Sequence, residues 1–286
     1  MSADCHIHMV LDGVDWKSAI ARHKAGPDIA FIRRQLAAYR EQGFTYLRDG
    51  GDRWGVGAAA REIAGEYGIT YRTPLSPLVM EGHYGSFIGK TYADLKQHAA
   101  LVREQKAQGA DFIKIMISGL MDFNEFGKLT LPSLPGKQIR ELIHIAHDMG
   151  MAVMAHANGP EAVIAAAEAG VDSVEHGAYL NKESLSAMAE NGVVWVPTLS
   201  TVANLRGTGR FPEIQIQKIL EFNSENVAVF HAMGGLIAPG SDAGAWAVPH
   251  GADREYSLLR ELGVDDNALD RGAKMIREKF KQEVTV

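Results

Sequence analysis

The chain has 286 residues, with 29 Lys and Arg against 35 Asp and Glu, so its net charge of −6 leaves no basic footprint for nucleic acid. An apolar fraction of 46% is too high for a disordered chain, and no uncharged apolar run reaches the roughly 18 residues of a membrane helix. The lone cysteine, Cys5, excludes an internal disulfide framework, and the first residues show no basic start followed by an apolar stretch, so a cytoplasmic protein without nucleic-acid or membrane partners is expected.

In chain order, a first strand is predicted at residues 3–8. One junction then recurs: a helix-like segment closes on a glycine, and a short β-prone run follows. It is seen at Gly43, Gly68, Gly109, Gly150, Gly170, Gly192 and Gly234. Glycine there suits the left-handed residue that ends many helices. The strands predicted after these glycines span 44–48, 69–73, 111–117, 151–156, 172–175, 193–197 and 236–239. Short apolar strands alternating with helices predict a parallel sheet, and eight of them predict a closed (β/α)8 barrel in one domain over 1–286. No Gly-x-Gly-x-x-Gly loop follows the first strand, against an open dinucleotide-binding sheet. Long loops are expected at 75–91 and 119–135, and a last helix at about 266–282.

Barrel chemistry gathers where the strands' C-terminal ends meet. The polar residues at those ends are His6 and His8, Arg48 and Asp49, Lys114, His156, Glu175 and His176, and Asp242. His6 and His8, two apart, leave one face of a strand and can share a metal ion. Lys114 sits inside the apolar run Phe112-Ile113-Lys114-Ile115-Met116-Ile117 and faces the barrel axis by alternation. It can snorkel to solvent, form a Schiff base, or become a carbamate that bridges two cations. Asp242 can bind a metal and accept a proton from water, and nitrogen and oxygen donors of this kind suit zinc. His98, His144, His147 and His231 fall in helical segments away from the strand ends, and Cys5 is expected to point away from the His6 face.

The set resembles the amidohydrolase superfamily of metal-dependent hydrolases. The matching residues are His6-Ile7-His8, Lys114, His156, His176 and Asp242. The surrounding wording, Met154-Ala155-His156-Ala157, Glu175-His176-Gly177 and Gly240-Ser241-Asp242-Ala243-Gly244, resembles the branch of imidazolonepropionase-like and Xaa-Pro dipeptidase-like enzymes. The resemblance implies two divalent metal ions, zinc foremost. His6 and His8 would hold the more buried ion and His156 and His176 the more exposed one. Lys114, carboxylated by carbon dioxide, would bridge them, and Asp242 would bind the buried ion and shuttle the proton. It implies cleavage of an amide bond by a metal-bridging hydroxide, in a small-molecule substrate such as a dipeptide or N-acyl amino acid. A lactone, ester or phosphoester substrate on the same metals is the alternative, as is, in a different class, a Schiff-base aldolase using Lys114. His83 and Tyr179 resemble substrate-binding residues of the dipeptidase branch. The family's β-sandwich is not expected here, because only five residues precede His6 and about twenty follow the eighth helix; the lower barrel mouth then needs another cover, for which a homo-oligomer is one possibility.

Overall fold

A computed structural model describes residues 2–281. The strands are β1 (Ser2–Ile7), β2 (Phe44–Asp49), β3 (Thr70–Arg72), β4 (Leu78–Met80), β5 (Lys90–Tyr92), β6 (Ile113–Met116), β7 (Val153–Ala157), β8 (Ser173–His176), β9 (Val194–Val196) and β10 (Leu236–Ile237). The helices are α1 (Trp16–His23), α2 (Ile29–Glu41), α3 (Val56–Ala64), α4 (Leu95–Ala107), α5 (Gly136–Asp148), α6 (Pro160–Glu168), α7 (Lys182–Glu190), α8 (Ser200–Ala203), α9 (Glu213–Ala232), α10 (Arg254–Glu261) and α11 (Asp266–Lys279). Among the described residues no helix is long and apolar enough to cross a membrane. Gln282, the last residue of the helix expected at 266–282, lies outside the described residues.

All strand pairs are parallel, in sheets ordered β1-β2-β3 and β10-β9-β8-β7-β6-β4-β5. Backbone hydrogen bonds join these sheets at both seams. Cys5 donates to Pro239 (2.8 Å), Asp242 to His6 (2.7 Å) and His8 to Ala243 (2.7 Å) at one seam, and Asp111 donates to Thr73 (3.0 Å) at the other. The barrel expected from the sequence is therefore present. Its third strand comes in two pieces, β3 and β4, separated by Thr73-Pro74-Leu75-Ser76-Pro77. Two prolines there remove ladder donors and break the pairing. β4 and the first two residues of β5 fall within 75–91, the segment expected to be a long loop.

Side chains cap several of the helices: Asp28 accepts from the Phe31 amide at α2, Asp94 from Gln97 at α4 and Asn181 from Ser184 at α7. The largest apolar cluster lies between strands and outer helices and includes Ile113, Ile115, Ile143, Val163, Val174 and Trp195. A separate cluster, with Ala3, Cys5, Tyr46, Phe112, Met154 and Val196, fills the lower barrel, and Ala273, Ile276 and Phe280 close it from α11 and its C-cap. Phe280 is fully buried, edge-on to Phe112 with ring centroids 5.1 Å apart. The last helix is thus the cover of the lower mouth. Cys5 belongs to this inner cluster, contrary to the alternation expected of it. A register shift between Asp4 and Ile7 breaks the two-residue period of β1.

Candidate active site

His6, near the end of β1, is fully buried, and its Nδ1 lies 2.8 Å from Glu175 Oε2. A carboxylate only accepts, so Nδ1 carries the hydrogen and Nε2 keeps its lone pair. That Nε2 lies 3.4 Å from His8 Nε2 and 3.5 Å from Asp242 Oδ1, and His8 Nε2 lies 3.3 Å from the same oxygen. Donors held about 2.1 Å from a zinc ion at tetrahedral angles are about 3.4 Å apart, so the three atoms fit one ion. Among the described residues, the ligand atoms of His6, His8 and Asp242 all lie within 4.8 Å of one another.

The other two imidazoles are prepared in the same way. His156 Nε2 sits 3.2 Å from the Gly119 carbonyl, which leaves Nδ1 free, and His176 Nδ1 meets the Thr198 hydroxyl at 2.7 Å, which leaves Nε2. The His156 and His176 ring centroids are 4.7 Å apart, and His176 lies 5.0 Å from His6. Fixing one ring nitrogen so that the other can ligate is what second-layer partners do in metal sites. Burial holds the His8 and His156 pKa values down to about 3, and those of His6 and His176 well below the usual range, so all four rings are neutral at pH 7.

Lys114, on β6, is buried, and its Nζ has no hydrogen-bond partner. Asp242 Oδ1 and His8 Nδ1 are also buried without partners. Burial lowers the Lys114 pKa and raises that of Asp242. Such orphaned groups are costly unless something binds them. The donor set therefore fits metal ions, with Lys114 next to them.

Local backbone makes this arrangement possible. Alternation along β8 turns Ser173 and Glu175 inward and would turn His176 out. His176 has φ 68°, which leaves the strand and brings its ring back to the cavity. Asp242 (φ 58°) and Thr198 (φ 52°) are left-handed as well. Such positions cost of order 1 kcal/mol or more each in non-glycine residues and cluster at functional sites. Gly50 and Gly240 allow close approach: a Cβ at Gly50 would lie 2.3 Å from His8 Cε1, and one at Gly240 2.4 Å from Val196 Cγ1.

Beneath the ligands, Arg48 is fully buried and reaches three acceptors. Its Nε donates to Cys5 O (2.7 Å), Nη1 to Ser173 Oγ (2.8 Å) and Nη2 to Glu175 Oε1 (2.8 Å), while Phe280 lies 4.4 Å below the guanidinium. Arg48 and Glu175 were legible as polar strand ends, but their work of orienting His6 was not. Asp49 holds the Met9 amide and the Thr73 hydroxyl and stands outside the ligand set.

His8, Lys114, His156, His176 and Asp242 line one cavity of about 730 Å³. His83 and Tyr179 do not line it. His83 lies half-buried in the turn after β4, and its neighbour Tyr84 faces the cavity instead, 4.9 Å from the His156 ring. Tyr179 packs between Phe126 (5.4 Å) and Phe222 (6.3 Å). A loop has no period from which side-chain direction can be read, so the Tyr84 position had no sequence signal.

The amidohydrolase family model matches residues 4–245. The chain belongs to the amidohydrolase family. Among curated relatives of this amidohydrolase are an uncharacterised protein of Mycobacterium tuberculosis, 30% identical over 179 residues (60% of this chain, 47% of that protein), and ochratoxinase of Aspergillus niger, 25% identical over 234 residues (70% and 47%). The chain thus spans about half the length of the curated relatives it matches. In fold, the amidohydrolase chain is similar to a Xaa-Pro dipeptidase with bound methionine, with TM-score 0.76 and 24% identity over 97% of this chain and 75% of that one. It is also similar to the A. niger ochratoxinase structure, with TM-score 0.78 and 21% identity over 98% and 71%.

Proposed function

We propose that this amidohydrolase is a metal-dependent enzyme that cleaves the amide bond of a dipeptide or N-acyl amino acid. The observation that carries the reading is the convergence of His6 Nε2, His8 Nε2 and Asp242 Oδ1, with the second nitrogen of His6 fixed by Glu175. His6, His8 and Asp242 would hold one ion and His156 and His176 a second. Lys114, on reaction of its amine with carbon dioxide, would lose a proton and gain a carboxylate able to bridge both. Two such dications, zinc best matching these donors, supply Lewis acidity and make water a stronger acid.

The chain's own groups do the rest. The Asp242 carboxylate, which has an oxygen without a protein donor, takes the proton released by the attacking water and passes it to the departing nitrogen, so that amide and water yield carboxylate and amine. The cavity would hold the substrate over the ligands. A lone, buried cysteine suits a cytoplasmic setting.

A Schiff-base aldolase has one observation in its favour, the unpartnered amine of Lys114. Metal analysis with a borohydride trap decides between the two. About two ions per chain, no reduced lysine adduct and turnover of amides support the hydrolase. A trapped Lys114 adduct in metal-free protein supports the aldolase. Turnover confined to lactones or phosphoesters in metal-loaded protein assigns the same site to those substrates.

A further inference from the structure

Above the ligands the cavity carries two runs of aromatic side chains. Trp16 meets Phe87 edge-on at 5.2 Å, Phe87 lies 6.0 Å from Tyr84, and Tyr84 lies 4.9 Å from His156, so this run descends from the rim to the ligand set. In the other, Phe123 and Phe211 meet at 5.2 Å, and the Arg210 guanidinium lies 4.1 Å over Trp246 and 5.4 Å over Phe211. These six rings and Arg210 line the same cavity as His8, Lys114 and Asp242.

The charges of the lining are unequally engaged. Asp15 caps α1, accepting from the Lys17 and Ser18 amides and from the Ser18 hydroxyl. Asp122 Oδ1 accepts from the backbone and side-chain amides of Asn124. Arg210 has no carboxylate partner among the described residues; its guanidinium rests on rings, and only its backbone amide is hydrogen-bonded, to Thr208. Lys17, 5.5 Å over Trp16, is a second rim cation without a salt bridge among the described residues, although Asp15 lies near enough to feel its charge. Arg210 is the better anion site, because a planar guanidinium already held flat offers a carboxylate two parallel N–H donors, whereas an ammonium is a point charge.

We infer that the substrate is an aromatic N-acyl amino acid, with its acyl ring against Trp16, Phe87 and Tyr84 and its carboxylate on Arg210. This rests on the amide-hydrolase reading above and narrows it. Rings add geometry-dependent attraction beyond area burial, so an aromatic acyl group gains where a methyl group does not. The carboxylate fixes which end of the amide faces Asp242.

The test uses ketones in which a methylene replaces the amide nitrogen, so that nothing is hydrolysed. 3-Benzoylpropionate stands for N-benzoylglycine, levulinate for N-acetylglycine, and acetophenone is the uncharged aromatic control. Binding to the metal-loaded protein is read by calorimetry and by quenching of Trp16 and Trp246 fluorescence. The expected result is that 3-benzoylpropionate binds at least tenfold more tightly than levulinate. Arg210→Gln weakens 3-benzoylpropionate about tenfold and leaves acetophenone unchanged, and Lys17→Gln alters neither. Equal affinity for benzoyl and acetyl ketones, no binding at all, or indifference to Arg210→Gln overturns the inference. Turnover of N-benzoylglycine is measured separately. Tight, Arg210-dependent binding without turnover of any amide refutes amide hydrolysis and leaves the site's ligand class standing. Turnover of N-acetylglycine with no aromatic preference does the reverse.

Discussion

Glu175 grips both the ligand above it and the cation below it: Oε2 lies 2.8 Å from His6 Nδ1, and Oε1 lies 2.8 Å from Arg48 Nη2. Ser173 Oγ also donates to Oε1 at 2.5 Å. Every group in this chain is buried, so none can turn to water instead. In Glu175→Gln the single carbonyl oxygen can serve Arg48 or His6 but not both. An amide N–H then faces the other partner, and His6 loses the contact that fixes its tautomer. Metal affinity, measured by competition with a chromogenic chelator, is expected to fall 10- to 100-fold, the usual loss for an outer-layer partner. An unchanged affinity contradicts the orienting role.

Asp242→Asn tests the proton carrier. Turnover is expected to drop by about 10²–10⁴, the range for loss of an acid–base group. Stability of the metal-free protein should not fall, because burial raises the Asp242 pKa and a neutral amide escapes that cost. Asn also tolerates the left-handed φ of 58° at this position. Near-normal turnover shows that another group moves the proton.

Lys114→Ala separates a carbamate from a bare amine. The variant should lose bound metal and activity, and formate or acetate should restore part of both by supplying the missing oxygens. A variant that keeps its metal unaided removes Lys114 from the ligand set.

At the lower mouth, Phe280→Ala leaves a void beneath Arg48 and Phe112. The expected loss is about 3–5 kcal/mol in urea unfolding, typical of a buried Phe→Ala change. A loss below about 1 kcal/mol shows that the lower barrel closes without it.

Acid should destabilise the fold partly through two histidines outside the ligand set. Burial holds His98 and His250 down to about 4, and each has a ring nitrogen near a backbone carbonyl, of Leu142 and Leu11 respectively. Between about pH 6.5 and pH 4 the unfolded chain binds protons that the folded chain refuses. Each imidazole therefore contributes stability that is present above about pH 6.5 and lost as pH falls, by about 1.4 kcal/mol per pH unit. Buried Asp4, Asp49 and Glu255, raised to about 6, 7 and 7, act in the opposite direction, so the informative quantity is a difference. His98→Asn should reduce the pH slope of the urea-unfolding free energy by about one proton across this window, and an unaltered slope refutes the assignment.

The barrel, and the strand ends on which the six candidate ligands sit, were legible because both follow from period. Glycine-ended helices mark the strands, and strand ends mark the mouth. What was not legible breaks period. The register shift in β1 turns Cys5 inward, and the prolines at 74 and 77 divide the third strand. Loop geometry presents Tyr84 rather than His83, and Tyr179 turns toward Phe126. The orienting work of Arg48 and Glu175 needed three strands in space at once, since Cys5, Ser173 and Glu175 are Arg48's partners.

The seam between β1 and the residues after β10 has a temporal consequence. The His6 carbonyl waits for the Asp242 amide, and the Cys5 amide for the Pro239 carbonyl, more than two hundred residues downstream. Translation delivers the first two imidazoles early and their carboxylate neighbour late. A nascent chain stalled on the ribosome before residue 242 therefore cannot present the convergent trio, so an ion held by all three groups could not act as a seed for the folding of β1.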